Sequence, residues 1–157
     1  ELNSMGTGVW GSVFFALFAL MMIISRPLVG KVYARFGSKF VIYPGVALFI
    51  LGLSALGIVT TPIGIICTAP LLGLGYGAAQ PAFQALAVQS APIERAGVST
   101  ATYFLALDIA VGAGSVVLAL IANALGYQYL YQITALIMVV ALALYHFVIR
   151  KHSYIAE

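Results

Sequence analysis

Hydrophobic residues in this chain gather into long runs, separated by short connections that carry glycine, proline or charge. Five runs stand out, over residues 8–29, 40–59, 62–87, 98–125 and 128–149. Each is near or above the roughly 20 residues that a helix needs to cross the hydrocarbon core of a bilayer. Strict apolar–polar alternation, which spanning strands would need, is absent. The pattern therefore predicts an all-α integral membrane protein with five transmembrane helices. Connections at 30–39 and 88–97 and a tail at 150–157 fall on one side. The short connections "TTP", ending at Pro62, and "LGY", ending at Tyr127, fall on the other.

Composition sharpens this picture. Of 157 residues, 63% are hydrophobic and 7% are charged, where a soluble domain carries about a quarter. The seven Lys and Arg are Arg26, Lys31, Arg35, Lys39, Arg95, Arg150 and Lys151. Threading five spans through a membrane places all of them on one face, which the positive-inside rule makes cytoplasmic. The net charge of +3 reflects that topology and gives no reason to expect nucleic acid as a partner. Cys67 cannot form an internal disulfide and is expected to be a small packing residue. His146 and His152 stand six apart, a poor spacing for a metal pair, and no His, Cys and carboxylate cluster supports a metal site. With no nucleophile–base set and no phosphate-cradling loop, the sequence points to no enzyme and no cofactor. An odd number of spans, opened by "ELNSMG", leads us to expect further chain before the first residue.

The first connection is more specific. In "SRPLVGKVYARFGSKFVIYPG", Pro27 and Gly30 can end a helix and Gly37 can make a tight turn. The segment "GKVYARFGSK" resembles the cytoplasmic motif G-x-x-x-D-R-x-G-r-r of the major facilitator superfamily, in its copy between helices eight and nine. Gly30, Arg35, Gly37 and Lys39 match, and Ala34 stands at the acidic position. "GLGYGAAQPAFQAL" and "ERAGVSTATYFLALDIAVGAGS" are similar to helices ten and eleven of drug-efflux-like members. The resemblance covers essentially the whole chain. It implies that the five runs are helices eight to twelve, in a fold built from inverted three-helix repeats. It also implies an N-terminal half of the same transporter as partner. Arg35 becomes a candidate for a cytoplasmic latch, within a gating motif comprising Arg26, Gly30, Lys31, Arg35, Gly37 and Lys39. Arg26 is a candidate to compensate for Ala34. The same resemblance implies outer positions for helices nine and twelve.

Two features suggest a pathway. Gly73, Tyr76, Gly77, Gln80 and Gln84 follow the spacing of one helical face, where lipid cannot answer their hydrogen bonds. Cavity lining by Tyr76, Gln80 and Gln84 and plain helix packing both remain open, and Pro70 and Pro81 make kinks or local unwinding plausible. Phe15, Phe18, Met21 and Met22 are candidates for an adaptable apolar wall. The second feature is Asp108, ten residues into the fourth run. That is about 15 Å along a helix and close to the midplane, where a charged Asp costs about 2.5–3.5 kcal/mol. Protonation removes most of that cost, so a proton is its natural ligand, although a structural acid paired elsewhere is the alternative. Tyr103, Phe104, Gly112 and Ser115 join it as cavity candidates.

The expectation is a proton-coupled antiporter of the plasma membrane, the inner membrane in a bacterium. It would export lipophilic or cationic small molecules, with substrate, protons and lipid as partners. Uptake of a small metabolite by symport or facilitated diffusion is one alternative, and would be favoured by a cation at mid-membrane, which the sequence does not show. A non-transporting scaffold or sensor is the other. The topology has a direct test. In a Cys67→Ala background, cysteines introduced at Ser38 and Ser153 should be labelled only from the cytoplasm. Labelling of either from outside in intact cells would overturn the orientation.

Overall fold

A computed structural model describes the backbone of residues 2–153 and the side chains of residues 8–147. The expected tail at 150–157, with Arg150, Lys151 and His152, lies outside the residues whose side chains are described. Five helices make up the fold: α1 (Leu2–Phe36), α2 (Lys39–Ile58), α3 (Pro62–Gln89), α4 (Ala96–Leu125) and α5 (Tyr127–Ser153). A single 3-10 turn at Ile93–Arg95 precedes α4. All five helices are long and apolar enough to span a membrane, and the chain is a multi-pass membrane protein.

Helix ends follow local chemistry where the chain supplies it. Thr61 caps α3, its hydroxyl accepting from the Gly64 N–H at 3.3 Å, and Pro62 at the first helical position needs no donor. Gly37 closes α1 in the left-handed region at φ 85°, its N–H donating to the Tyr33 carbonyl at 2.9 Å. The expected stop at Pro27 and Gly30 does not occur: α1 is helical through both and continues to Phe36. A proline removes one donor from the ladder, which a long helix tolerates when its other bonds and its packing hold. Likewise α3 is one helix through Pro70 and Pro81, without the unwinding expected there.

α3 lies at the centre of the bundle. A Cβ at Gly73 would sit 2.5 Å from the Phe18 carbonyl oxygen and 2.9 Å from Met21 Cβ on α1. One at Gly77 would meet Ser25 Oγ, with Met22 Cα at 3.0 Å. On its other side, a Cβ at Gly75 would lie 2.6 Å from Phe49 N and 2.8 Å from the Gly45 carbonyl of α2. Contacts rise together along α1 and α3, from Gly73 on Phe18 to Gly77 on Ser25, so the two are parallel; along α2 they fall, from Gly52 on Leu72 to Gly45 on Ala79, so α2 is antiparallel. α2 then packs against α5, where Gly57 fits against Gln132. Gln132 donates to the Ser54 carbonyl at 3.2 Å, and Tyr43 bonds His146 at 2.7 Å.

The outer position expected of α2, the presumed helix nine, concerns the whole transporter; α2 keeps an exposed apolar stripe at Phe40, Leu51 and Ile58. Its other faces hold seven buried residues from Val41 to Gly57, because small residues let α3 and α5 close on it. α4 has no buried residue. Cys67 is also exposed rather than packed, since α3 turns that position away from α1 and α2.

Substituting Gly75 by Leu should destabilise the fold, because its new side chain meets backbone that cannot rotate away. Overpacking of this kind costs about 1–3 kcal/mol. Gly97, where a Cβ meets nothing within 4 Å, serves as the control for Ala substitution. Thermal unfolding followed by fluorescence-detected size exclusion should show a lowered midpoint for Gly75→Leu and little change for Gly97→Ala. Equal midpoints would refute the close approach.

Candidate functional site

Among the described residues, cavities between the helices include two with volumes of about 680 Å³ and 610 Å³. The larger is aromatic. Trp10, Phe14 and Phe18 recur every fourth residue on one face of α1 and meet Phe49 of α2, Tyr76 of α3 and Tyr131 of α5. Phe18 and Phe49 flank the Tyr76 ring at centroid distances of 6.2 Å and 6.0 Å. Such a space suits a drug-sized apolar body. Of the four apolar-wall candidates, Phe15 and Phe18 line it. Met21 and Met22 do not: they pack on the glycines of α3.

The smaller cavity is the more polar of the two, although Val29, Ala34, Pro81, Ala82 and Ala85 also line it, and it lies toward the end of the bundle that carries Arg35, Lys39 and Arg95. Arg26, Gly30 and Tyr33 of α1 face Gln80 and Gln84 of α3, with Phe104 of α4 nearby. Tyr33 donates its hydroxyl to Gln89 Oε1 at 3.0 Å, fastening α1 to the end of α3. The single stripe read along α3 thus divides three ways. Gly73 and Gly77 serve helix packing, Tyr76 lines the aromatic cavity, and Gln80 and Gln84 line the polar one. Tyr33 was missed from the sequence, although its offsets of three from Gly30 and seven from Arg26 put all three on one face.

The remaining candidates are placed as follows. Tyr103 donates to the Gln80 carbonyl at 3.2 Å and stacks edge-on with Phe104 at 5.6 Å. Ser99 donates to the Ala87 carbonyl at 2.7 Å. These bonds run α4 antiparallel to the last third of α3. Asp108, five residues beyond Tyr103, sits about 7.5 Å further along the helix axis, level with the middle of α3. It lies on an exposed side of α4 and lines neither cavity. Gly112, one turn on, has nothing within 4 Å of a built Cβ, and Ser115 gives its hydroxyl to the Gly112 carbonyl at 2.8 Å. In the gating motif, Lys31 and Lys39 are exposed, and the Arg35 guanidinium lies 5.4 Å over the Phe36 ring, a cation–π contact. Among the described residues no group of three His, Cys, Asp or Glu is placed to hold a metal ion.

Membrane-length helices enclose one cavity that reaches the Pro62 end of the bundle and one toward its basic end, an arrangement that suits a carrier. A family model described as Major Facilitator Superfamily matches residues 4–155, and the chain belongs to that superfamily. No curated protein and no solved structure gives a match. Members of the superfamily are transporters, and secondary transport is the activity that this membership supports.

The division of the α3 stripe can be read chemically. Cysteines at Gln80 and Gln84, again with Cys67→Ala, should react with a small polar thiol reagent at least about tenfold faster than one at the buried Ala79, because only a wetted thiol ionises readily. Comparable rates at the three positions would leave only helix packing.

Proposed function

We propose that this chain forms part of a proton-coupled secondary transporter that exports lipophilic small molecules by antiport, with Asp108 as the proton-carrying group. The observation that carries the reading is the carboxyl of Asp108, level with the middle of α3 and on a side of α4 that no other described helix covers. A group there is costly when charged and cheap when protonated, so it changes state as water or protein reaches it. Rocking between two halves would alternate that access. The aromatic cavity supports a lipophilic substrate body. A cationic group gains no support, since Arg26 would repel it from the polar cavity. Latch formation by Arg35 and placement in the plasma membrane belong to the same proposal and follow from the motif and the one-sided basic residues.

One observation favours a second reading. α1 is continuous through Arg26, so a cation stands inside a spanning helix after all, as carriers of acidic metabolites require. Uptake of such a metabolite by symport is the rival.

Asp108→Asn tests the coupling. In proteoliposomes, and normalised to folded protein, the variant should lose accumulation driven by a pH gradient by about 10²-fold or more, the scale on which proton-transferring groups act. Energy-independent exchange should survive, and Asp108→Glu should retain coupling with a shifted pH optimum. A purely structural acid predicts lowered thermal stability with unchanged transport per folded molecule. Wild-type accumulation by the Asn variant would exclude Asp108 as the coupling group.

A further inference from the structure

Packing fixes the depth of Arg26. α2 (Lys39–Ile58) has 20 residues and is about 30 Å long, the full thickness of the hydrocarbon core. Its Gly45 and Phe49, in the middle third of that length, meet Gly75 of α3. Two residues further along α3, Gly77 meets Met22 and Ser25 of α1. Arg26 follows directly. It stands ten residues before the end of α1 at Phe36, about 15 Å along the axis. A basic residue that merely anchors a helix lies at its end, where water reaches it. Arg26 instead opens into the polar cavity at the depth of the glycine contacts.

What surrounds it there is selective. Gln80, Gln84, Tyr33 and Phe104 line the cavity among small apolar residues, and no carboxylate does. The described acids are Glu94, in the turn before α4, and Asp108, which does not line this cavity. A guanidinium always carries its charge and offers a planar fork of donors that fits a carboxylate or phosphate in two parallel bonds. The Gln N–H groups add donors beside it. A cavity with fixed positive charge, amide donors and no acid of its own lacks only an anion.

We infer that the polar cavity is an anion-binding site in which Arg26, flanked by Gln80 and Gln84, holds a carboxylate or phosphate group. The inference rests on the carrier reading but requires neither a direction of transport nor a coupling role for Asp108. Two sources share this chemistry: a soluble organic anion, which would be substrate, and the phosphate of an anionic lipid.

Charge-selective thiol chemistry tests it without measuring transport. The intact protein carries Cys67→Ala and Gln84→Cys, in nanodiscs of phosphatidylcholine that leave both faces open. The rates of anionic sulfonatoethyl and cationic trimethylammonioethyl methanethiosulfonate are compared, each divided by its rate with a small free thiol. One fixed positive charge nearby should favour the anionic reagent at least about tenfold. Arg26→Gln should abolish that preference, and Arg26→Lys should retain most of it, which keeps the result apart from misfolding. Succinate or inorganic phosphate should slow the anionic reagent only where Arg26 or Lys is present, which assigns a soluble anion. Slowing by added phosphatidylglycerol alone assigns a lipid. An equal preference in wild type and Arg26→Gln would overturn the inference, and so would failure of both reagents to react. If the preference holds while the protein moves no solute in any assay, the anion site stands and the carrier reading falls.

Discussion

Backbone contact at the glycines of α3 is the constraint on which the bundle depends. In lipid, helices gain little from burying apolar side chains against one another, because the alternative solvent is equally apolar. Association rests on close van der Waals packing and on hydrogen bonds between helices. Gly73 and Gly77 bring α1 in from one side, and Gly75, with Gly45 and Gly52, brings α2 in from another. With α1 and α2 both seated on α3, the relative depth of every residue on three helices is set. The depth of Arg26 is one consequence. Separation of the aromatic cavity from the polar one is another, since each opens beside the glycine contact.

Charge then has to be placed within that frame. Most basic groups avoid the problem: Lys31, Arg35 and Lys39 stand exposed toward the turn between α1 and α2, and Arg95 near the start of α4. Arg26 and Asp108 do not. Asp108 is level with the middle of α3 and Arg26 lies about a turn nearer the basic end, on helices that flank α3 from different sides, and a charge inside the hydrocarbon span is costly unless something neutralises it. A proton can serve Asp108. No proton can serve Arg26, whose guanidinium does not release one in a protein; the anion site inferred above would compensate it. The two groups thus call for opposite solutions at nearly the same level of the membrane.

The helical architecture was legible because apolar run length and end chemistry act locally. Five spans and the tight turn at Gly37 each follow from a few adjacent residues. What failed was inference through proline. Reading Pro27 and Gly30 as a helix end moved Arg26 out of the membrane and hid Tyr33, although the three-and-four spacing of Arg26, Gly30 and Tyr33 was visible. Whether a proline ends a helix depends on the bonds and neighbours around it, which are tertiary facts. The α3 stripe shows the same limit: its spacing gave one face correctly, but only packing reveals that α1 covers the glycines and leaves the glutamines open. Depth for Asp108 could be counted within its own run. What covers it could not, because α4 meets other helices through a narrow strip.

That strip explains why α4 differs from its neighbours. Ser99, Tyr103, Leu107, Gly114 and Leu118 recur at helical spacing and are half-buried against the rest of the bundle. A second side carries Leu105, Ile109, Val116 and Leu120, all more than 60% exposed, and these bulky aliphatic chains suit lipid tails. The third side carries Phe104, Asp108, Gly112 and Ser115 and is exposed as well. Lipid cannot be its neighbour: hydrocarbon offers no partner to a carboxyl, and small residues leave it little to grip. Water or another protein surface has to face this side. A helix held by one narrow strip, with an ionisable group on a side that the proposed antiport would expose alternately, has little packing to break when it shifts. Weak attachment of α4 and the presence of its acid are thus compatible demands of one element, while the glycine-locked contacts of α1 and α2 with α3 supply the rigid body against which it can move.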